Sequence, residues 1–171
     1  MNRLLHFAKS GRSLSCFRTG SIRSFSVKPS RKDYVAFEVQ NTRWEDNDVY
    51  GHVNNIVYYS WYDTAVNRYL IQHKALDIHA GETVGVVVET GCTFFSSVSY
   101  PDFIHVGMKV AHLGTSSVKY EVAIFKNDDD VASALGHFVH VYVNRSTKRP
   151  VPIPPHVRQV LQGLLPASEG Q

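Results

Sequence analysis

The longest stretch without Gly or Pro runs from Val53 to about His73, and its polar residues follow a helical period. They recur at spacings of three and four positions: Ser60, Asp63, Thr64, Asn67 and Arg68. Apolar and aromatic residues fill most of the remaining positions. This pattern predicts a helix with one narrow polar stripe and a very wide apolar face. Such a helix needs to be enclosed by other elements rather than laid on a surface.

The rest of the chain predicts strands. Residues 34–43 place Val35, Phe37 and Val39 on one face, which is typical of a strand. Further runs rich in β-branched and aromatic residues follow, bounded by turn residues: 83–98, 103–113, 116–127 and 131–144. Four prolines between 150 and 155 then end the sheet, because proline has no N–H to donate. A short terminal helix is expected over His156–Leu165.

This order of elements predicts an α+β domain. The elements are one strand, one long helix and four more strands. They bury each other's apolar faces if a curved, five-stranded antiparallel sheet wraps the helix. Residues 33–171 have the length of a single domain, and no internal repeat is visible.

The first 32 residues differ in composition from the rest. They hold eight basic residues and no acid, whereas residues 33–171 hold ten basic and 15 acidic residues, a net charge of −5. Arginines, serines and spaced apolar residues favour a mitochondrial presequence, with cleavage near Phe25 and the matrix as destination. A disordered basic arm is the alternative. The acidic body offers little for nucleic acid, whose binding needs clustered cations.

Several classes of protein are excluded or disfavoured. Two cysteines in the whole chain exclude a disulfide scaffold and a four-cysteine zinc site. No apolar run reaches the roughly 18 residues of a membrane-spanning helix. The chain also lacks the G-x-S-x-G elbow of serine hydrolases and the glycine-rich loops of nucleotide-binding enzymes.

The densest polar cluster, residues 43–55, lies just before the long helix. Carboxylates stand at Glu45, Asp46 and Asp48, and Gly51 allows close backbone approach to a ligand. The start of the helix offers free backbone N–H groups and a positive dipole end. A carboxylate together with oriented N–H donors is enough to attack an activated carbonyl and to hold the developing oxyanion.

The string D-x-D-x-x-G-H-x-N-N in this cluster, followed by Tyr58 and Tyr62, resembles the hotdog-fold acyl-CoA thioesterases of the 4-hydroxybenzoyl-CoA thioesterase type. The likeness covers roughly residues 34–160. It includes Arg43 before the string, G-T-S-S at residues 114–117 and R-P-V-P-I-P at residues 149–154. The resemblance implies a hotdog fold and hydrolysis of an acyl thioester to a free acid and coenzyme A.

The resemblance also implies roles for single residues. The first aspartate of the string is the catalytic carboxylate and matches Asp46, although a turn-forming role in its loop is the alternative. The N–H that polarises the thioester carbonyl lies seven residues later, at Val53. Gly51 and His52 match the turn into the helix. The local chemistry by itself does not choose Asp46 over Asp48, for which capping a turn or the helix is the favoured reading.

The implied reaction needs little assistance. A thiol leaving group has a pKa of about 8.5, so it departs without a strong general acid. An ionised aspartate acts either as base toward water or as nucleophile, and the sequence does not choose between them. No metal is required, and no cofactor is expected, since coenzyme A is part of the substrate and the product.

For several other candidate site residues, the sequence leaves two alternative roles open. His52 either donates a hydrogen bond to substrate or packs at the helix start, and Asn55 either caps the helix or contacts substrate. Tyr58 belongs to the core or to an acyl pocket, and Ser117 either touches substrate or is an exposed strand residue. Asp63, on the polar stripe of the helix, is the backup carboxylate.

The expected partner is an acyl-CoA or an acyl-carrier thioester, bound by a homodimer or homotetramer that pairs exposed sheet edges. Two other classes stay open. One is a non-catalytic acyl-thioester or acyl-carrier binding protein, and the other is a structural protein of the matrix. A hotdog dehydratase is a minor alternative with His52 as its only nearby histidine.

Overall fold

The computed structural model of the chain describes residues 28–167. It contains five strands and two α-helices, together with short 3₁₀ helices at Arg31–Asp33 and Trp44–Asp46. In chain order the strands and helices are β1 (Ala36–Asn41), α1 (Asn55–Gln72), β2 (Thr83–Phe94), β3 (Phe103–Leu113), β4 (Ser117–Lys126), β5 (Ala134–Asn144) and α2 (Pro155–Gln162). None of the helices in residues 28–167 is long and apolar enough to cross a membrane.

The five strands form one antiparallel sheet in the order β1-β3-β4-β5-β2. Helix α1 packs on one face of this sheet, and α2 contacts β3. The expected α+β hotdog architecture is therefore confirmed. Every expected element is present: β3 has the expected bounds, and the others have ends shifted by up to four residues. The largest shift is in β2, which ends at Phe94 rather than at residue 98. Shifts of three residues occur at the start of β5, Ala134 rather than 131, and at the end of α2, Gln162 rather than 165.

The core lies between α1 and the sheet. The helix buries six side chains against the strands: Tyr58, Trp61, Tyr62, Ala65, Val66 and Leu70. At the closest approach, a Cβ added to Gly136 on β5 would stand 2.5 Å from the ring of Tyr62. Only glycine fits there, because the tyrosine ring lies directly on the strand backbone. The wide apolar face read from the sequence is the face that the sheet covers.

Residues 29–34 lie on the opposite face of the sheet. The Pro29 carbonyl accepts the Ala132 N–H at 2.9 Å, and the Arg31 N–H donates to the Asp130 carbonyl at 3.0 Å. The Arg31 guanidinium lies 5.1 Å from the Phe125 ring centroid. The described fold therefore includes residues 29–32, which the sequence reading had placed in the presequence. The remainder of the predicted presequence, residues 1–27, lies outside the described residues.

Candidate functional site

Asp46 is the last residue of the 3₁₀ helix that precedes α1, and its carboxylate accepts hydrogen bonds from Arg43. One oxygen accepts the Arg43 backbone N–H at 2.7 Å, and the other accepts Nε and Nη2 of the same residue at 3.1 and 2.8 Å. The Asp46 side chain is 1% exposed, whereas that of Arg43 is 67% exposed. Hydrogen bonding to Asp46 raises the pKa of the Arg43 guanidinium above its ordinary value. This pair fixes the shape of the loop.

Asp48 lies in the next turn and has a freer carboxylate. Its Oδ1 accepts the Tyr50 N–H at 2.8 Å and stands 3.6 Å from Nδ1 of His52. Its Oδ2 accepts no hydrogen bond from residues 28–167. The turn closes because the Gly51 N–H donates to the Asp48 carbonyl, and Gly51 takes a φ of +86°, a conformation that favours glycine. Asp48 is 21% exposed at its side chain.

The N-terminus of α1 follows this turn, and most of its N–H groups are already engaged. The Val53 N–H donates to the Val98 carbonyl at 2.8 Å, and the Asn54 N–H donates to the Asp46 carbonyl at 2.9 Å. The Asn54 side chain accepts the Ile56 N–H. Asn55 is the first helical residue, so its N–H has no acceptor within the helix, and within residues 28–167 no other group accepts it. One backbone donor is thus left available.

A cavity of about 370 Å³ opens beside Asp48 and the start of α1. Its polar lining comes from Asp48, His52, Asn55, Ser96 and Ser97. Its apolar lining comes from Val53, Tyr58, Phe94 and Phe95. The cavity therefore has the mixed character of a small-molecule site, with a carboxylate residue and the first residue of α1 beside a partly apolar wall.

Aromatic packing forms the inner wall of this cavity. The Tyr58 and Phe94 rings meet edge to face with centroids 5.0 Å apart, and Tyr58 also packs against Trp61 at 5.2 Å. Burial raises the pKa of Tyr58 to about 12, so its hydroxyl stays protonated at neutral pH. The wall is consequently uncharged, and the negative charge at the cavity is confined to Asp48 among its lining residues.

A second cavity of about 290 Å³ lies on the other side of the same turn. It is lined by Trp44, Asn47, Asp48 and Gly51. The Asn47 side chain accepts the Tyr100 N–H at 3.1 Å, and the Trp44 ring packs against that of Tyr100. Asp48 thus borders both cavities, and it is the only carboxylate among the residues that line either of them.

The structure brings together four of the residues expected from the sequence: His52, Val53, Asn55 and Tyr58. Gly51 lines the second cavity. Asp46 lines neither cavity, and the Val53 N–H donates to the Val98 carbonyl. The catalytic role expected for these two residues stays a prediction. Asp63 also lies outside both cavities and accepts a hydrogen bond from Asn67.

Ser117 begins β4 and faces Val141 of β5, whereas the cavity lies near Phe94, beside Ala134 at the other end of β5. The sequence reading also missed Phe94–Ser97 as cavity residues. Their only signal is the F-F-S-S string at the end of a strand, which reads as ordinary sheet until the strand is known to end at Phe94. Within residues 28–167, no three His, Cys, Asp or Glu side chains are grouped closely enough to hold a metal ion.

Comparison with protein families gives one match. The model of the thioesterase-like superfamily aligns with residues 42–161, which is more than half of the chain. This chain belongs to the thioesterase-like superfamily. The matched residues of this superfamily member include the loop with Asp46 and Asp48, the whole of α1 and all of β2–β5. A search of curated proteins gave no match.

Solved structures of similar fold extend the comparison. The PA5185 protein from Pseudomonas aeruginosa strain PAO1 is 48% identical to the present chain. The two superpose with a TM-score of 0.80, over 84% of the present chain and 100% of PA5185. PA2801, a putative thioesterase from the same species, is 26% identical, with a TM-score of 0.70 over 75% and 98% of the two chains. A 1,4-dihydroxy-2-naphthoyl-CoA thioesterase from Synechocystis shares the fold. It is 15% identical, with a TM-score of 0.68 over 74% of the present chain and 94% of the Synechocystis protein.

Proposed function

We propose that this protein hydrolyses acyl-CoA thioesters to a free carboxylic acid and coenzyme A, with Asp48 as the reacting carboxylate. The proposal is carried by one observation: the cavity beside α1 is lined by both Asp48 and Asn55, the residue whose backbone N–H is left without an acceptor. Membership of the thioesterase-like superfamily supports thioester hydrolysis as the reaction class.

In the proposed reaction, the thioester carbonyl oxygen accepts the Asn55 N–H at the positive end of the helix dipole. Asp48 then either takes a proton from a water that attacks the carbonyl carbon, or attacks that carbon itself. In the second route the carbon–sulfur bond breaks, coenzyme A leaves as a thiolate, and water hydrolyses the resulting anhydride. Both routes end in the same acid and thiol.

This proposal assigns the reaction to Asp48, two residues after Asp46, which is the aspartate that the family resemblance implied. The resemblance implied Asp46 with the Val53 N–H, seven residues apart. Asp48 and Asn55 keep that separation of seven residues, and one oxygen of Asp48 and the Asn55 N–H have no hydrogen-bond partner within the described chain. The three hydrogen bonds that Asp46 accepts from Arg43 and the Val53–Val98 hydrogen bond support the shift.

We also place the active form as a homo-oligomer built on the free edge of β2. This strand ends the sheet, and its central residues Val86, Val87 and Val88 are 39%, 45% and 57% exposed. An exposed apolar edge strand is open to pairing with a second copy. Such pairing would cover these valines and would place two cavities on one continuous sheet.

The test is a panel of aryl and aliphatic acyl-CoAs given to the purified full chain while free thiol is followed. We expect turnover of at least one substrate, and one tight complex without thiol release would instead favour the non-catalytic binding protein. Neither binding nor turnover, together with a stoichiometric protein partner, would favour a structural role and would contradict the proposal.

The mitochondrial matrix remains the proposed location. It rests on the basic, acid-free composition of residues 1–32. A fluorescent protein fused after residue 32 is expected to reach mitochondria, and the same fusion with Arg12, Arg18 and Arg23 changed to Gln is expected to stay in the cytosol. Cytosolic fluorescence from the unaltered fusion would remove the location without touching the reaction.

A further inference from the structure

Arg43 lies just before the loop that carries Asp48, and it lines neither of the two cavities. Its backbone N–H and two of its guanidinium nitrogens donate to the carboxylate of Asp46. Within residues 28–167, this carboxylate accepts no hydrogen bond from any other residue. Neither Arg43 nor Asp46 takes part in the proposed reaction, so what the pair contributes depends on where Asp46 lies.

Asp46 forms the base of a short hairpin that spans residues 46–54. The Asn54 N–H donates to the Asp46 carbonyl at 2.9 Å, and the Asp48 N–H donates across the hairpin at 2.9 Å. The two arms also form an antiparallel bridge between these hydrogen bonds. Asp48 lies on the first arm, and Asn55 follows directly after the second arm. The placement of the proposed carboxylate relative to the proposed N–H donor therefore depends on the base of this hairpin.

The contact between Arg43 and Asp46 restricts the orientation of the hairpin base. The Asp46 side chain is buried, whereas that of Arg43 is largely exposed. A buried carboxylate that rotates away from its donors is left with an unpaired charge, which is strongly unfavourable. Nε and Nη2 of Arg43 both donate to Oδ1 of Asp46, at 3.1 and 2.8 Å. A lysine, with a single nitrogen, cannot reproduce this planar contact.

We propose that Arg43 is a positioning residue for the proposed hydrolysis. By holding the carboxylate of Asp46, it sets the separation between the Asp48 carboxylate and the Asn55 N–H. This proposal rests on the proposed hydrolase function. Reacting groups must be aligned for either route of that reaction, and a displacement of about 1 Å lowers a rate by up to about 100-fold. Arg43 is then needed for the chemical step and not for binding of the thioester.

Direct contact with an anionic part of the substrate is the alternative role for an exposed guanidinium. The two roles predict different kinetics. Loss of a contact that binds substrate and transition state equally raises KM, whereas misalignment of the reacting groups lowers kcat. The two roles also differ in their dependence on Asp46, because only a positioning residue acts through it. Kinetics of single and double variants therefore distinguishes the two roles.

The first test removes the guanidinium. Arg43→Ala is expected to lower kcat for the best acyl-CoA by at least about tenfold and to change KM by less than about twofold, because the unpaired Asp46 carboxylate turns toward water and shifts the hairpin base. Arg43→Lys keeps a cation and should lose about threefold in kcat. The matched control is Arg68→Ala, since Arg68 is also half-exposed and contacts a carboxylate, Glu38, at 2.8 Å away from the loop. Its kcat should be unchanged.

A purely stabilising role for Arg43 is separated by assaying each variant below its melting temperature and expressing the rate per folded molecule. A lower melting temperature with an unchanged kcat per folded molecule would overturn the proposal. So would a higher KM with an unchanged kcat, since Arg43 would then contact the substrate. An equal loss of kcat in Arg68→Ala would overturn it as well.

The second test asks whether Arg43 acts through Asp46, by combining Arg43→Ala with Asp46→Asn. The double variant has a neutral amide in place of a buried carboxylate without its guanidinium, so it also serves if Arg43→Ala alone does not fold. If Arg43 acts only through Asp46, kcat of the double variant should lie within about twofold of that of Asp46→Asn. Losses that multiply in the double variant would overturn the proposal, since Arg43 would then have an effect independent of Asp46.

The outcomes separate this proposal from the function on which it rests. If the unaltered protein hydrolyses no acyl-CoA, the hydrolase function fails and the proposal fails with it. If acyl-CoA is hydrolysed and Asp48→Asn removes the activity while Arg43→Ala retains a normal kcat, the hydrolase function stands and only the positioning role of Arg43 is lost.

Discussion

Asp46 and Asp48 stand two residues apart in the same loop, yet their surroundings differ. The Asp46 carboxylate is buried and accepts three hydrogen bonds from Arg43. The Asp48 carboxylate borders two cavities and has one oxygen without a donor in residues 28–167. A carboxylate held by three hydrogen bonds from one arginine is suited to stabilising a loop, whereas a reacting carboxylate needs an accessible oxygen. This contrast is the reason for proposing Asp48, and it is open to direct test.

The largest expected difference between Asp46 and Asp48 is in how much their substitution lowers turnover. Asp48→Asn should lower kcat for the best acyl-CoA by at least about 100-fold, which is about 2.7 kcal/mol of transition-state stabilisation. Asp46→Asn should lower kcat by less than about tenfold, because its amide keeps an acceptor for the Arg43 N–H. Steady-state kinetics on the same substrate measures both values.

Asp63→Asn serves as the matched control, since Asp63 is an exposed carboxylate on α1 outside both cavities. Its kcat should match that of the unaltered protein. The assignment reverses if Asp46→Asn loses more turnover than Asp48→Asn while both variants keep their melting temperatures.

The second difference is in the free energy of unfolding, and it runs the other way. Asp46→Asn should lower it by about 1–2 kcal/mol, because a buried charged acceptor of several hydrogen bonds is lost. Asp48→Asn should change it by less than about 0.5 kcal/mol, as expected for a partly exposed turn residue. Chemical denaturation of both variants gives the two values, and equal losses would remove the distinction between a stabilising and a reacting aspartate.

The smallest expected effect is an acid-dependent loss of stability that both variants should share. His140 is 3% exposed on β5, and burial lowers its pKa to about 4. Because unfolded histidine titrates near 6.5, the unfolded chain binds the extra proton first, and stability falls as the pH drops from about 6.5 toward 4. The loss attributable to His140 between pH 7 and pH 5.5 should be about 1 kcal/mol.

Denaturation of Asp46→Asn and Asp48→Asn at these two pH values checks the effect. Their difference in stability should persist, since His140 lies in the sheet and not in the loop. His140→Gln should flatten the slope in this window, whereas His79→Gln, at an exposed loop position, should retain it. An unchanged slope in His140→Gln would place the acid-sensitive group elsewhere.

The architecture was readable from the sequence because its elements carry strong periods. The helix expected over residues 53–73 is found at Asn55–Gln72, and the strand expected over 103–113 is found with those bounds. Strand ends were less predictable. Residues 95–98, Phe-Ser-Ser-Val, continue the run that predicts a strand, but the N–H groups of Phe95 and Ser96 donate to the Ser133 carbonyl outside the β2–β5 ladder, which ends at Phe94.

The candidate site was readable only as a region. A cavity lies beside the predicted polar cluster and helix start, but the hydrogen bonds that distinguish the two aspartates are not encoded by any spacing. Arg43 is three residues before Asp46 and five before Asp48, and only the 3₁₀ turn at Trp44–Asp46 decides which carboxylate it engages. The same holds for the N–H donors, since Val53 is engaged by Val98, 45 residues later.

The attachment of residues 29–34 to the sheet has a consequence for proteolysis from the amino end. Within residues 28–167, the first backbone hydrogen bond to the domain is made by Pro29, whose carbonyl accepts the Ala132 N–H. Removal of Pro29 and then of Arg31 breaks hydrogen bonds to residues 127–132, and removal of Arg31 also takes a cation away from the Phe125 ring. We therefore expect a peptidase that trims the chain from its amino end to slow at Pro29.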